Sequence, residues 1–214
     1  MSGRDRGLLA LAAVVAAALV VSGIAPYDRI TWVMEVLPVV IAGAVIAATW
    51  KRCPLPALLC ILIAAHSLVL ILGGAYTYAH VPLGFWLQDL LGTARNPYDK
   101  IGHFMQGFVP AMIAREIFLR GGYVTGRRMA AFLCVCVALA VSAVYEMIEW
   151  WAALAMGQGA DEFLGTQGDV WDTQSDMFMA LIGSCTAMAL LSRLHDRQMA
   201  ALSSPGTPRS ASTG

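Results

Sequence analysis

The chain has 214 residues, 58% of them hydrophobic and 13% charged, with a formal net charge of zero and a mean hydropathy of +0.67. A soluble domain averages about 25% charged residues, so this composition excludes an ordinary soluble core and indicates a polytopic membrane protein. A neutral chain gives no reason to expect a nucleic-acid partner.

A membrane-spanning helix needs about 20 mostly apolar residues, and six segments qualify. The first is Gly7–Ala25. Arg4 and Arg6 before it and Gly23-Ile24-Ala25 at its end also fit a secretory signal. Pro26 directly after that site, and the length of the apolar run, favour a retained helix. The second span, Ile30–Trp50, holds Glu35 and Pro38. The third, Pro54–Tyr78, holds a lone His66, expected as a packed, hydrogen-bonded histidine rather than a ligand. Ala79–Tyr98 is an amphipathic loop suited to a short interfacial helix. The fourth span is Asp99–Leu119, the fifth Met129–Trp151 and the sixth Thr173–Ser192. Glu116, between Arg115 and Arg120, reads as part of a surface ion pair. Cys53, Cys60, Cys134, Cys136 and Cys185 lie in or beside apolar segments. They make neither a disulfide framework nor a zinc ribbon, and read as small reduced hydrophobes.

Lys and Arg set the orientation. With the N-terminus in the cytoplasm, Arg4, Arg6, Lys51, Arg52, Arg115, Arg120, Arg127, Arg128, Arg193, Arg197 and Arg209 fall inside. Only Arg29, Arg95 and Lys100 fall outside. The fold class is therefore all-α: a single six-helix transmembrane domain over 1–197, both termini cytoplasmic, with a disordered cytoplasmic tail over 198–214. Trp86, Trp150, Trp151 and Trp171 would form an aromatic belt at the outer face, and Tyr76 and Tyr78 read as further belt aromatics.

Against this apolar background, Asp161–Asp176 carries Asp161, Glu162, Asp169, Asp172 and Asp176 with no Lys or Arg. Ionisable groups within spans are costly and usually face a cavity or a partner. Four spans bring such groups to one leaflet: Glu35; Asp99, Lys100 and His103; Glu146 and Glu149; and Asp172 and Asp176, with Asp169 just above. Residues three and four apart share a helix face. Asp99, His103 and Gln106 make one stripe, Glu146 and Glu149 with Ser142 a second, and Asp172 and Asp176 a third. Gly183 continues the third stripe, where a neighbouring helix would approach closely. Glu35 fits a site role and a helix-packing role equally. The glycines of Gly165–Asp169 shape a turn rather than a phosphate loop, because no strand precedes them.

Two readings of this constellation compete. His103, Glu146, Glu149, Asp172 and Asp176 would ligate a divalent metal ion, with His103, Glu146 and Glu149 in catalytic roles and Lys100, Asp99 and Asp169 binding substrate. Alternatively, Lys100 and His103 neutralise some carboxylates, while others stay protonated. One Lys and one His do not offset Glu146, Glu149, Asp172 and Asp176 together.

NPYDKIGHF at Asn96–Phe104, YEMIEWW at Tyr145–Trp151 and GTQGDVWDTQSDMFMALIG at Gly165–Gly183 resemble the YjdF-type bacterial inner-membrane proteins. The resemblance covers most of the chain, from the second span to Arg197. A more distant one is to the VanZ-like membrane proteins, some associated with glycopeptide resistance. Their Asp-Lys-x-x-His helix start fits Asp99, Lys100 and His103; a Glu in the next helix fits Glu146 or Glu149; an Asp-rich start fits Asp172 and Asp176. Glu149 stands where such chains usually carry Gln. These resemblances imply an inner-membrane location and the polar site, and no reaction. Three function classes stay open: binding or processing a lipid headgroup or lipid-linked envelope precursor with a divalent metal; proton- or cation-coupled transport; and a noncatalytic membrane scaffold.

Overall fold

The computed structural model describes residues 3–156 and 167–203. Among them the chain forms seven helices and no strand: α1 (Gly3–Ser22), α2 (Arg29–Thr49), α3 (Ala57–Ala75), α4 (Pro82–Leu91), α5 (Tyr98–Arg120), α6 (Arg127–Met156) and α7 (Asp172–Ser203). The acidic residues Asp161 and Glu162 and most of the tail expected to be disordered lie outside the described residues. α7 runs past Arg197, where the sequence places the domain's end.

Five helices, α1, α2, α3, α6 and α7, are long and apolar enough to cross a membrane. The sequence expectation was six, and the helix short of that standard is α5. Its 23 residues span about 34 Å at 1.5 Å per residue, so length is not the obstacle. The obstacle is Asp99, Lys100, Arg115, Glu116 and Arg120. These charges are tolerable because α5 is the centre of the bundle, with eleven buried residues, and turns them toward protein rather than lipid.

α5 packs on α7, and backbone meets backbone there. A Cβ on Gly107 would overlap the Ala180 carbonyl, and one on Gly183 would overlap the Phe104 carbonyl. Only glycine lets the two helices come this close, and Gly183 makes the approach its position predicts. α6 packs on both members of the pair, α3 packs on α5, and α1 and α2 pack on α3. α2 is started by Asp28, whose carboxylate accepts from Thr31 N at 2.7 Å, satisfying one of the free N–H groups of a helix start. The hydrogen bonds with Thr31 hold the Asp28 pKa below the usual carboxylate value, outweighing burial, which raises it. The amphipathic loop contains the expected short helix, α4, closed by Gly92 in the left-handed region at φ 64°.

Between the two ends of the α5–α7 pair lie buried apolar clusters. Ala111, Ala114, Cys134 and Ala138 form one cluster, and Leu59, Met112 and Ala187 another, each member 5% exposed or less.

Candidate functional site

The starts of α5 and α7 and the end of α6 meet at one end of the bundle. Asn96, 2% exposed, fastens the loop before α5. Its amide donates to the carbonyls of Ala79 and Val81 at 3.1 and 3.0 Å, and its Oδ1 accepts from Tyr98 N at 3.0 Å. A Cβ on Gly84 would strike this side chain. Gln167, in the loop before α7, exchanges two hydrogen bonds of 3.1 Å with the Asn96 backbone. The two acid-bearing helices therefore start side by side, tied through their loops.

An ionic web spans the junction. Lys100 Nζ donates to Asp172 Oδ1 at 2.9 Å, Asp176 Oδ1 at 2.6 Å and Ser175 Oγ at 2.6 Å. Arg95 donates to the same Asp172 oxygen at 2.5 Å and to Asp169 Oδ2 at 2.9 Å. Partial burial alone would lower the Arg95 pKa, but the bond to Asp172 and the charges of Asp172, Asp169 and Asp99 raise it above its usual value. Asp172 is thus neutralised twice, and Asp176 once.

His103 sits one turn deeper, 5% exposed. Its Nδ1 faces Gln106 Oε1 at 3.1 Å and Glu146 Oε1 at 3.7 Å. Its Nε2 faces Asp99 Oδ1 at 3.5 Å and Asp176 Oδ2 at 3.8 Å. With Gln106 Oε1 as acceptor, Nδ1 carries a proton, and Nε2 points at two carboxylates. A lone pair facing two anions is repelled, so a cation, proton or metal, belongs there. One donor atom from each of Asp99, His103 and Asp176 lies within 4.8 Å of the others, a spacing able to hold a metal ion. Lys100 takes Oδ1 of Asp176 and leaves Oδ2 turned inward, so both roles are compatible. Glu146, 8% exposed, adds a buried Oε1 without a hydrogen-bond partner.

His103 also lines a small cavity of about 20 Å³, walled by Glu35, Asp99, Gln106, Tyr78, Tyr145 and Glu149 among others. A water needs roughly 10–15 Å³ of such volume, so the cavity takes one water-sized group. Glu35 belongs to this wall. It is 5% exposed, and its Oε2 accepts from Tyr78 Oη at 2.9 Å and Tyr145 Oη at 2.8 Å.

Residues 7–197 match the family described as "Predicted membrane protein (DUF2238)". The chain belongs to that family. The Escherichia coli (strain K12) inner membrane protein YjdF is 61% identical over 181 residues, 85% of this chain and 87% of that one. No solved structure matches. The chain is a multi-pass inner-membrane protein.

Of the metal set expected from sequence, the structure groups His103 and Asp176 and adds Asp99, which sequence reasoning had given to substrate. Asp172 is instead occupied by Lys100 and Arg95, and Asp169 by Arg95. Glu146 stands against His103 and Glu149 lines the cavity. Arg95 is the residue that sequence reasoning missed, because it lies in a loop outside every helical stripe. Even with Arg95, the carboxylates of Glu35, Asp99, Glu146, Glu149, Asp169, Asp172 and Asp176 outnumber Arg95, Lys100 and His103.

Three other expectations need correction. Tyr78 is no belt aromatic but a buried donor to Glu35; Tyr76 is 40% exposed. His66 is not hydrogen-bonded at Nε2, which is buried without a partner; its helix neighbours Leu62, Ile63, Val69 and Leu70 offer no acceptor. Glu116 pairs with Arg120 at 2.7 Å but is 4% exposed rather than on the surface, because α7 covers it. Its Oε2 lies 2.9 Å from His195 Nε2, and His195 Nδ1 accepts from Arg115 Nη1 at 2.9 Å. Arg115 also reaches Asp196 at 2.6 Å, and Arg127 closes on the same carboxylate. This second polar cluster ties α5 to α7 at the opposite end. The belt expectation agrees with the structure in that Trp86, Trp150, Trp151 and Trp171 are all more than half exposed.

Proposed function

We propose that the chain is a six-span protein with both termini cytoplasmic, whose outer-leaflet site holds a divalent metal ion and binds or processes a lipid headgroup or lipid-linked envelope precursor. The observation that carries this reading is the convergence of Asp99, His103 and Asp176 within 4.8 Å, beside the unpartnered buried Oε1 of Glu146. One imidazole with carboxylates suits Fe, Mn or Zn better than an all-oxygen ion. When bound, such an ion would supply Lewis acidity or an activated water. Gln106 orients the imidazole, Lys100 holds Asp176 in place, and Glu146 or Glu149 stands within reach of the centre as general base. The exposed tryptophans support placing the site at headgroup level.

The test is metal content of detergent-purified protein by elemental mass spectrometry. Near-stoichiometric metal in the wild type, lost in Asp176→Asn and reduced in Glu146→Gln, is expected. Well-folded wild type that stays metal-free after resupply with divalent ions would overturn the reading.

Proton- or cation-coupled transport is the second reading. The buried cluster of Arg115, Glu116 and His195 favours it, since a transporter needs polar groups toward both faces. The apolar clusters around Met112 and Ala138 oppose it, because Gln106 and Arg115 are nine residues, or about 13 Å, apart along α5.

A further inference from the structure

α1 and α2 are joined by the short link 23–28, and each packs on α3. Near the link their walls close: Val36, Val39 and Ile71 are each 6% exposed or less and pack against Leu19 and Trp32. Beyond it, a cavity of about 710 Å³ lies between α1, α2 and α3. Leu8, Ala12 and Val15 line it from α1, and Val39, Gly43 and Ile46 from α2. Three- and four-residue spacing puts each set on one helix face. A Cβ on Gly43 would meet nothing within 4 Å, so the space is open there. Along α1 the walls reach from Leu19 to Asp5, about 21 Å at 1.5 Å per residue. That is longer than half of a hydrocarbon core about 30 Å thick. The volume falls in the range of about 300–1,000 Å³ that encloses a small ligand.

The end away from the link is basic. Arg6 follows Asp5, and Lys51 and Arg52 follow Trp50; all three side chains are exposed and make no ion pair among the described residues. Asp5 is the one acid in the walls among those residues, so the mouth is net positive. Glu35 marks the opposite, acidic end of α2.

We propose that this cavity binds an anionic phospholipid, with acyl chain between α1 and α2 and phosphate at Arg6, Lys51 and Arg52. The walls choose a lipid, because a phosphate alone among apolar side chains would lose its hydration for nothing. The mouth chooses its charge, because an uncharged lipid would fill the same walls and leave three cations unanswered. Each Lys or Arg beside an anionic headgroup strengthens binding by about fivefold. The site is apart from Asp99, His103 and Asp176 and needs no metal, so it fails or holds separately from the reading above.

The experiment titrates delipidated full-length protein in detergent with phosphatidylglycerol or phosphatidylcholine of identical acyl chains, and counts bound lipid by native mass spectrometry. One phosphatidylglycerol should bind at least about tenfold more tightly than phosphatidylcholine. Replacing Arg6, Lys51 and Arg52 together by Gln should abolish the preference and leave phosphatidylcholine binding as it was. Gly43→Phe, which places a ring in the cavity, should weaken both lipids by about tenfold or more. Val45→Phe, at a position 54% exposed and outside the walls, should change neither. Equal affinity for the two lipids, a preference that survives the triple Gln variant, or wild-type binding by Gly43→Phe would each overturn the proposal.

Discussion

Removing the Lys100 ammonium is the sharpest test of how the acidic end is held together. Lys100→Met keeps most of the stem and deletes the three donors to Asp172, Ser175 and Asp176. Removing one partner of a buried ion pair costs about 3–5 kcal/mol. The Lys100 side chain is 21% exposed, which places the expectation at the low end of that range, about 3 kcal/mol. The loss should fall unevenly. Asp172 keeps Arg95 at 2.5 Å, whereas Asp176, its side chain 3% exposed, keeps only His103, at 3.8 Å, among the described residues. In a double-mutant cycle, Lys100→Met with Asp176→Asn should therefore couple by about 1.5–3 kcal/mol, and Lys100→Met with Asp172→Asn by less. The assay is denaturant unfolding in detergent, with a chelator present so that no metal contributes. Additivity within about 0.5 kcal/mol for the Asp176 cycle, or the reverse ranking of the two cycles, would refute the argument.

Other outcomes follow from the same contacts. Glu146→Gln and Asp176→Asn should be non-additive in thermal stability, because both acids face His103 at 3.7 and 3.8 Å; independent effects would mean no shared centre. Gly107→Val should cost about 3 kcal/mol or more, because its Cβ meets backbone that has no rotamer to move; a near-native melting curve would contradict the α5–α7 contact. Arg115→Lys should destabilise by about 2 kcal/mol, since Lys cannot bond His195 and Asp196 at once; unchanged unfolding would count against that cluster. Asp28→Ala should lower stability by about 1 kcal/mol. Because the folded Asp28 pKa lies below its ordinary value of 3.8, this contribution is present above that pH and fades as the pH falls below it. Unfolding measured at neutral pH and near pH 2 should show the wild-type advantage only at neutral pH.

Much of the site was legible because ionisable residues in apolar helices leave few explanations. The stripe of Asp99, His103 and Gln106 is a matter of 3.6-residue periodicity, and the structure realises it in the His103–Gln106 contact. The close approach at Gly183 followed from the same phase. What was not legible depends on tertiary neighbours. Arg95 reaches Asp169 and Asp172 across more than seventy positions of sequence. Tyr78 looked like an interfacial ring until Glu35, on another helix, supplied its acceptor. Glu116 looked solvent-facing because it lies near a helix end rich in arginine; only the packing of α7 on α5 buries it against His195. α5 carries too many charges to pass as an apolar helix, and it has protein on most sides, which no sequence pattern shows.

The glycine contacts between α5 and α7 have a mechanical meaning. Each end of this helix pair carries its own ionic knot, Lys100 with Asp172 and Asp176 at one, Arg115 with His195 and Asp196 at the other. Apolar side chains separate the two knots. Backbones that touch at Gly107 and Gly183 cannot slide without collision. The pair therefore forms a strut: a shift of α7 against α5 at one knot would strain the bonds at the other.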